Sequence, residues 1–447
     1  MRTPFLLFCL SLVSACTILD PHNIVGRTAV PGFTPNVPVV DTNSTAWKRE
    51  AFEQVWNTVN EKYYDPAFGG VNWRDARSKY EAQIFAAESD DRYWELLDQM
   101  TGVLKDSHTR VHSAKQAAQQ RNQEAHSLGL GFLEINGALV VTSVHAESDP
   151  WWAGVRAGMT IKLIEGEPAL ARYRRLLDEV RESSTPWART RGAIRKITAG
   201  DPDTVVNMTF TRQDGSDIAA TMKRRKFRAP SEFTQRLLPS GFAYVRFSGF
   251  EGSMETAIVN AIDGMKASPG MIVDLRNNGG GSGSMAASIV TKFLSETKQA
   301  GRVLTRTGQP VRIAFVPVVK IEPEYKGRAE SAYTKPLVIL TNENSASASE
   351  IVASALQDFG RATIIGQRTC GCLLGYLGYA NLPGGGLLAY SELGFVSPKG
   401  RRIEGEGVKP DIEIALSQED ILFSRDRILE AAENSLRAKT HSTGKTL

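Results

Sequence analysis

Cysteine and histidine are scarce in this chain. Four cysteines and six histidines occur among 447 residues. Cys9 and Cys16 lie in the N-terminal segment, so only Cys370 and Cys372 remain for the rest of the chain. A C-x-C pair with no histidine or further cysteine beside it is a poor zinc site. The sequence therefore predicts no metal and no cofactor.

An excess of one charge sign is also missing. The 53 basic residues nearly balance the 49 acidic ones, and the net charge is +4. This balance gives little reason to expect a nucleic-acid partner. The basic residues between positions 223 and 228 fit a solvated strand end. The length allows two or three domains, and 42% hydrophobic residues is ordinary for a globular protein.

The apolar run at the N-terminus is too short to cross a membrane. It extends over roughly a dozen residues, whereas a spanning helix needs about 20, and it suits the core of a signal peptide. The run ends in Val13-Ser14-Ala15-Cys16, which resembles a bacterial lipoprotein signal. In that family the peptide is cut before the cysteine, which is then acylated.

The lipoprotein resemblance implies an exported protein. Cys16 would carry the lipid, and the mature chain would lie on the periplasmic side of a Gram-negative membrane. Thr17, in place of an aspartate, favours the outer membrane. An ordinary secretory signal with an incidental cysteine is the alternative, and it also exports the chain. Proline-containing residues 17–44 fit a tether.

Two patterns follow the tether. Helical periodicity runs from about Trp47 to Leu104 and ends at Asp106-Ser107-His108-Thr109. A lone histidine after a helix is more often structural than catalytic. Short apolar strands separated by glycine turns then occupy about 120–226, including a hairpin around Asp214-Gly215.

The glycine-rich β segment resembles a PDZ domain. Residues Ala153–Met159 match a PDZ segment, and the loop that would take a peptide's terminal carboxylate is Leu128, Gly129, Leu130, Gly131 and Phe132. Such a domain binds a C-terminal peptide as an added strand. An unrelated small β domain is the alternative. A basic helical insertion between Arg172 and Ile197 has no evident purpose in the sequence.

From Phe242 onward, strands alternate with helices, which predicts a mostly parallel sheet. The strand predicted at 336–341 leads into the turn Ser345-Ala346-Ser347-Ala348-Ser349 and then into a helix. The strand at 271–276 leads into a glycine turn that includes 279–281. Because both strands should be parallel, we expect both turns at the same edge of the sheet, where ligands bind. A serine there is either a nucleophile or a helix N-cap.

Three motifs identify a resemblance to the tail-specific, or C-terminal processing, serine proteases and their tricorn-core relatives. They are DLRNNGGG at 274–281, NSASASEIVASALQDFGRATIIGQRT at 344–369 and IEGEGVKPDI at 403–412. The resemblance implies a ClpP/crotonase-like α/β core with a helical cap and an inserted PDZ domain. It also implies that Ser347 is the nucleophile, with oxyanion donors at Ala348 and at Gly280 or Gly281.

The usual base of these proteases is absent. They use a lysine 25 residues after the nucleophile, and this chain has Cys372 at that position. A thiol is not an obvious base for serine. The tricorn-like branch instead uses a histidine and a glutamate. That resemblance assigns His108 as base, Glu404 as its orienting acid, with Glu406 as alternative, and Ser107 as a supporting hydroxyl.

The resulting hypothesis is an exported serine endopeptidase that acts on polypeptides engaged through their C-terminal segments. A catalytically inactive peptide- or ligand-binding protein is the alternative, and Cys370–Cys372 is a possible disulfide. The predicted segments are a signal peptide at 1–16, a tether at 17–44, a helical cap at 45–118, a PDZ-like domain at 119–227, a protease core at 228–435 and a tail at 436–447.

Overall fold

The computed structural model describes residues 24, 45–121, 126–227 and 232–443. The predicted signal peptide, the lipidation site Cys16 and all of the tether except Ile24 lie outside the described residues. In the described part, none of the helices combines the length and the hydropathy that a membrane span requires.

The helices are α1 (Ala46–Lys62), α2 (Trp73–Phe85), α3 (Asp90–Gly102), α4 (Ala114–Arg121), α5 (Asp149–Trp152), α6 (Ala169–Glu179), α7 (Pro186–Thr198), α8 (Gly252–Gly264), α9 (Gly283–Thr291), α10 (Ala348–Asp358), α11 (Gln418–Leu422) and α12 (Arg427–Thr443). Short 3-10 turns lie at Phe68–Gly70 and Pro383–Gly385.

The strands of the first half are β1 (Arg110–His112), β2 (His126–Ser127), β3 (Leu130–Ile135), β4 (Ala138–Val144), β5 (Thr160–Ile164), β6 (Glu167–Pro168), β7 (Val205–Thr211), β8 (Asp217–Lys223), β9 (Arg225–Lys226), β10 (Phe233–Leu237), β11 (Ala243–Phe247) and β12 (Met271–Asp274). Those of the second half are β13 (Lys298–Gln299), β14 (Arg302–Leu304), β15 (Val311–Ile313), β16 (Val316–Val319), β17 (Glu324–Tyr325), β18 (Leu337–Thr341), β19 (Thr363–Gly366), β20 (Leu374–Gly375), β21 (Ala380–Asn381), β22 (Leu387–Ala389), β23 (Leu393–Val396) and β24 (Ile412–Glu413).

The chain divides into two units that are not continuous in sequence. The first unit holds the described residues of 1–123 together with 299–324 and 373–404. The second holds those of 124–298, 325–372 and 405–447. The sequence predicted the cap at 45–118 as a segment of its own. In the structure, that segment instead shares a unit with stretches from the C-terminal half.

The core of the first unit is aromatic. Trp47 on α1 packs edge-on against Tyr93 of α3, with ring centroids 5.2 Å apart, and is stacked with Trp94. Leu388 and Tyr390 belong to the same buried cluster. Strand β1 pairs antiparallel with β22, which joins the end of the helical segment to the C-terminal stretch. This pairing explains why the cap is not an independent segment.

A mostly parallel sheet forms the core of the second unit. Its order is β10-β11-β12-β18-β19-β24, and all neighbours are parallel except the pair β10 and β11. Helix α12 packs on it through Ile428, Ala432 and Leu436. The helix runs without a break through position 436, where the sequence predicted a tail. The mixed α/β fold predicted from the alternation of strands and helices is confirmed.

A second sheet in this unit has the order β3-β4-β5-β7-β8, with β6 attached to β5. Strands β7 and β8 form the hairpin predicted around Asp214-Gly215. Gly215 adopts a φ of 83° there, which a residue with a side chain rarely tolerates. Helices α6 and α7, formed by the basic insertion, contribute Tyr173, Ala193 and Ile197 to the core beneath this sheet.

Candidate active site

Ser347 lies on the sharp turn between strand β18 and helix α10. Its backbone has φ 54° and ψ −114°, a conformation that non-glycine residues rarely adopt. Such strain persists only where the surrounding structure enforces it, and it is concentrated at functional sites. A strained serine between a strand and a helix is the geometry that presents a nucleophilic hydroxyl. Ser347 is half-buried, while Ala346 and Ala348 on either side are buried.

The other two serines of the turn have structural roles. Ser345 Oγ donates to Leu275 O at 2.7 Å, and Ser349 Oγ donates to Asn278 O at 2.9 Å. Both serines are fully buried. These bonds lock the serine turn to the turn that follows β12. Of the three serines, only Ser347 remains partly accessible, which agrees with its predicted role as nucleophile.

The glycine turn after β12 lies directly against Ser347. Gly280 has a φ of +95°, and a Cβ added to it would lie 2.7 Å from Ser347 Cβ and 2.8 Å from Ala348 N. No side chain fits in that space. Because β12 and β18 are parallel neighbours, their carboxyl ends bring the two turns together, as the sequence predicted. The proposed oxyanion donors are therefore adjacent within this unit.

The backbone N–H of Gly280 already has an acceptor. It donates to Asn278 Oδ1 at 3.0 Å, while Asn278 Nδ2 donates to Phe247 O. A substrate oxyanion would have to compete with the Asn278 side chain for this N–H. Gly281 has a φ of +139° and packs so closely on Phe250 that a Cβ would lie 2.5 Å from Phe250 O. Gly280 thus lies against the nucleophile while Gly281 packs on Phe250, and the two glycines remain the alternatives for the second donor.

A buried carboxylate organises the nucleophile turn. Glu350 Oε1 accepts hydrogen bonds from Thr369 Oγ1 at 2.6 Å and Gly371 N at 2.7 Å. Glu350 Oε2 accepts from Ser347 N and Cys372 N, both at 3.0 Å. Burial raises the pKa of Glu350 to about 7, and the four donors partly oppose that shift. The side chain thereby ties the nucleophile to the loop at 369–372.

The loop at 369–372 also reaches the nucleophile through its backbone. Cys370 and Cys372 form a disulfide, with their Cα atoms 5.2 Å apart. Cys372 O accepts a hydrogen bond from Ser347 N at 3.1 Å. The position where a lysine is usual therefore contributes backbone groups to the turn, and its sulfur is held in the disulfide. This arrangement removes Cys372 as a proton acceptor.

The basic insertion reaches the same loop. Thr185, at the start of α7, donates its hydroxyl to Cys370 O at 2.8 Å. Ala188 packs against the small buried cluster of Ala346, Cys370 and Cys372. The sequence showed no purpose for this insertion, because nothing in its composition indicates a partner so far along the chain. In the structure the insertion contacts the loop at 369–372 and stabilises its position beside Ser347.

His108 belongs to the first unit, whereas Ser347 belongs to the second. His108 N donates to Asp106 Oδ1 at 2.6 Å, and Ser107 Oγ lies 3.3 Å from His108 Nδ1. Burial lowers the pKa of His108, and the Asp106 carboxylate partly offsets this. The imidazole is therefore neutral near pH 7, the state that a general base requires.

Asp106 and Glu404 are both buried in the first unit. Asp106 Oδ2 accepts from Ser391 Oγ at 2.6 Å, which fixes the histidine-bearing loop to the C-terminal stretch. Glu404 Oε2 accepts from Leu373 N at 2.6 Å. Burial is the main cause that raises the pKa of Tyr63, and the negative charges of Asp106 and Glu404 raise it further. Both carboxylates therefore lie near the Tyr63 ring. The alternative Glu406 is exposed and belongs to the other unit, which favours Glu404.

Comparison with known families agrees with these motifs. The sequence model of peptidase family S41 matches residues 241–414, and that of the tricorn protease C1 domain matches 44–102. The chain carries a family S41 serine peptidase domain. The S41 match contains Ser347, the glycine turn, Glu350 and Glu404, whereas His108 lies outside both matched regions.

Proteins similar to this chain include proteases from photosynthetic organisms. The chloroplastic C-terminal processing peptidase of Tetradesmus obliquus is 28% identical over 382 residues, covering 81% of this chain and 76% of that protein. The carboxyl-terminal-processing protease of Synechocystis is 26% identical over 367 residues, covering 80% and 79%.

Solved structures support the fold of this chain. Mature CPAF in complex with lactacystin aligns with a TM-score of 0.68 at 13% identity, over 89% of this chain and all of that one. A photosystem II D1 C-terminal processing protease aligns with a TM-score of 0.55 at 22% identity, over 84% and 94%. At these identities the likeness concerns the fold alone.

The loop predicted to be PDZ-like is held in place by hydrogen bonds and close contacts with its neighbours. Leu128 N donates to Thr198 O at the end of α7, and Gly129 N donates to Ser127 Oγ. Gly129 has a φ of +68°, and a Cβ there would lie 2.7 Å from Ser148 Cβ. Leu130, Gly131 and Phe132 are the first three residues of β3, which lies at one edge of the sheet. The pairing of β3 with β4 shifts in register at Gly131, which marks a bulge. Two loop N–H groups are thus already engaged.

The sequence did not indicate three contributors to the candidate site. Glu350 follows Ser347 by three residues, the spacing of a capping box, so a signal for it was present. Asn278 and Thr185 carry no such signal, because their partners Gly280 N and Cys370 O are backbone atoms. Within the described residues, no cluster of three or more His, Cys, Asp or Glu is arranged to hold a metal.

Proposed function

We propose that this chain is an exported, lipid-anchored serine endopeptidase that cleaves unfolded or tagged proteins engaged through their C-terminal segments. The observation that carries the catalytic part is the strained backbone of Ser347, next to a glycine turn and flanked by two serines with structural roles. The relatives named as C-terminal processing proteases support the same substrate preference.

The proposed chemistry proceeds through an acyl-enzyme. Ser347 Oγ attacks the peptide carbonyl carbon while His108 takes its proton, and the resulting oxyanion accepts from Ala348 N–H and from the N–H of Gly280 or Gly281. The C–N bond then breaks, and the protonated histidine gives the proton to the leaving amine. Water, deprotonated by His108, hydrolyses the ester. Glu404 would orient the imidazole, and Ser107 would support it.

The assignment of His108 rests on three observations. Cys372, which takes the place of the usual lysine, is in a disulfide and cannot accept the proton as a thiolate. The pKa of His108 is lowered by burial, which keeps the ring neutral at working pH. Glu404 is buried in the same unit as His108, as an orienting acid must be. The proposal requires His108 Nε2 to come within hydrogen-bond reach of Ser347 Oγ.

The substrate's C-terminus would bind the PDZ-like sheet. Strand β3 lies at the end of that sheet, where an extended peptide can add as a further strand. Helix α7 packs against β3, so bound peptide would lie between them. The N-terminus of α7 carries Thr185, which contacts the loop beside Ser347, and this gives a route from peptide binding to the nucleophile.

Hydrolysis of an unfolded protein tests the proposal. Wild type should cleave it, and Ser347→Ala should leave only background. A matched pair of peptides with a free or an amidated C-terminus tests the PDZ role, since only the free carboxylate should compete with the substrate. Competition by both peptides equally would contradict that role. Peptide binding by folded wild type without any cleavage would instead support an inactive binding protein.

A further inference from the structure

An exposed apolar hairpin belongs to the first unit. It consists of β15 and β16, and it pairs with no other strand among the described residues. At its tip, Phe315 is 87% exposed, and Val316 and Val318 are 64% and 47% exposed. Burying such side chains is favourable, so leaving three of them together in water needs a reason. Ala314 turns the tip with a φ of 51°.

Within residues 302–320 the charges have one sign, and the exposed Glu322 and Glu324 follow that stretch. From 302 to 320 the sequence has four basic residues and no acidic one. Arg302, Arg312 and Lys320 are exposed, and Arg312 Nη1 donates to Phe315 O at the tip. An apolar tip with basic residues at its base matches a membrane surface, in which acyl chains lie beneath anionic headgroups.

The base of the hairpin holds the one described residue of the tether. Ile24 packs with Val319 against a cluster that contains buried Val303, Val311 and Leu393. Ile24 follows Cys16 by eight residues. Eight residues span at most about 29 Å, so an acyl group on Cys16 would hold the membrane surface within that distance of Ile24.

We propose that the hairpin at 311–319 inserts its tip into the bilayer, so that lipid is the partner that covers Phe315, Val316 and Val318. Arg312 and Lys320 would contact anionic headgroups. Together with the lipid on Cys16, the hairpin gives a second attachment point, which restrains the orientation of the first unit at the membrane. The inference rests on the proposed lipidation of Cys16, and it is independent of the chemistry at Ser347.

Site-directed spin labelling of the full-length lipidated protein tests this inference. Phe315→Cys introduces one labelling site, since the acylated Cys16 and the disulfide leave no reactive thiol in the mature chain. Phe423→Cys is the matched control, because Phe423 is a 70% exposed aromatic in the other unit. Both variants are reconstituted into vesicles of phosphatidylethanolamine and phosphatidylglycerol. Thermal unfolding establishes that each remains folded, and mass spectrometry establishes acylation of Cys16.

At each position, the collision rate of the spin label with oxygen, which concentrates in acyl chains, is compared with its collision rate with a water-soluble nickel chelate. The ratio of the oxygen collision rate to the nickel-chelate collision rate should be several-fold higher at position 315 than at position 423. Equal ratios in acylated protein overturn the proposal. Dipolar broadening between labels on neighbouring copies also overturns it, because the tip then covers a second copy. An N-terminal peptide without acyl chains overturns the inference together with the proposed anchor, and leaves the Ser347 chemistry untouched.

Discussion

The substitution Glu350→Gln tests how the nucleophile turn is held. The carboxylate accepts four hydrogen bonds, from Ser347 N, Thr369 Oγ1, Gly371 N and Cys372 N. A glutamine keeps one oxygen and places an NH₂ group where the other was. Whichever way it turns, two of the four donors lose the Glu350 oxygen as acceptor in a fully buried site, and of the four only Ser347 N has a second acceptor, Cys372 O, at 3.1 Å.

The magnitude follows from the donors that lose their acceptor. An unsatisfied buried donor costs about 1–3 kcal/mol, so one or two such donors cost roughly 1–6 kcal/mol. Removing a buried charge offsets part of this cost, and a fold of about 5–15 kcal/mol survives it. The catalytic effect is larger, because a misplaced nucleophile lowers kcat on the order of 100-fold. KM should change little.

Glu350 also predicts opposite pH trends for stability and activity. Burial raises its pKa from 4.5 to about 7, so the folded protein binds this proton more tightly than the unfolded chain does. Its contribution to stability is full below pH 4.5 and is lost as the pH rises through 7, on the order of 3 kcal/mol. Activity should rise over the same interval, because only the ionised carboxylate can accept all four bonds.

The assay is peptide hydrolysis between pH 5 and 9, together with chemical denaturation at the same pH values. Glu343→Gln is the matched control: Glu343 lies in the same turn, and its pKa is also raised by burial, but it takes no part in the four bonds. Glu350→Gln should lose the ionisation near pH 7 from both profiles. If Glu350→Gln keeps a kcat close to that of wild type across this pH range, as Glu343→Gln should, Glu350 does not position the nucleophile.

Three further predictions concern the base, the disulfide loop and the glycine turn. His108→Ala should lower kcat/KM by roughly 10²–10⁴-fold. In the pH–rate profile of wild type, the acidic limb assigned to His108 should lie below pH 6.5, because burial lowers the pKa of this histidine. Steady-state kinetics that found the variant still active would contradict this prediction. The double variant Cys370→Ala/Cys372→Ala should keep most activity, because the loop bonds to Ser347 and Glu350 use backbone atoms, but it should unfold at a lower temperature; complete inactivation with the fold intact would implicate a thiol. Gly280→Ala should abolish hydrolysis, because its Cβ would lie 2.7 Å from Ser347 Cβ, whereas Gly279→Ala, with nothing within 4 Å, should resemble wild type; equal activity of the two would exclude close contact of this turn with the nucleophile.

The local sequence pattern was enough to predict a mostly parallel sheet in the second unit. The apolar strands at 271–274 and 337–341 each end at a turn of small residues, and parallel pairing brings those turns together. The unit boundaries were not predictable in this way. Strand β1 follows the helical segment, but its partner β22 lies in the C-terminal half, and three residues carry too little pattern to reveal the pairing.

The residues of the candidate site likewise differ in whether a local sequence pattern predicts them. Ser347 could be predicted because a motif and a strand-turn-helix pattern coincide on it. Glu350 has the spacing of a helix cap, and only the structure shows that its carboxylate also binds Gly371 N and Cys372 N. The contact of Thr185 with Cys370 O joins residues far apart in sequence, and no local pattern encodes it.

Reaction of the folded protein with a serine-directed phosphonate tests the central claim most directly. Peptide mass spectrometry should find the adduct on Ser347 and on neither Ser345 nor Ser349, whose hydroxyls are buried and donate to carbonyl oxygens. Ser347→Ala should take no label. A folded wild-type protein that remains unlabelled, or that carries the adduct on another residue, would contradict the assignment of Ser347 as the nucleophile.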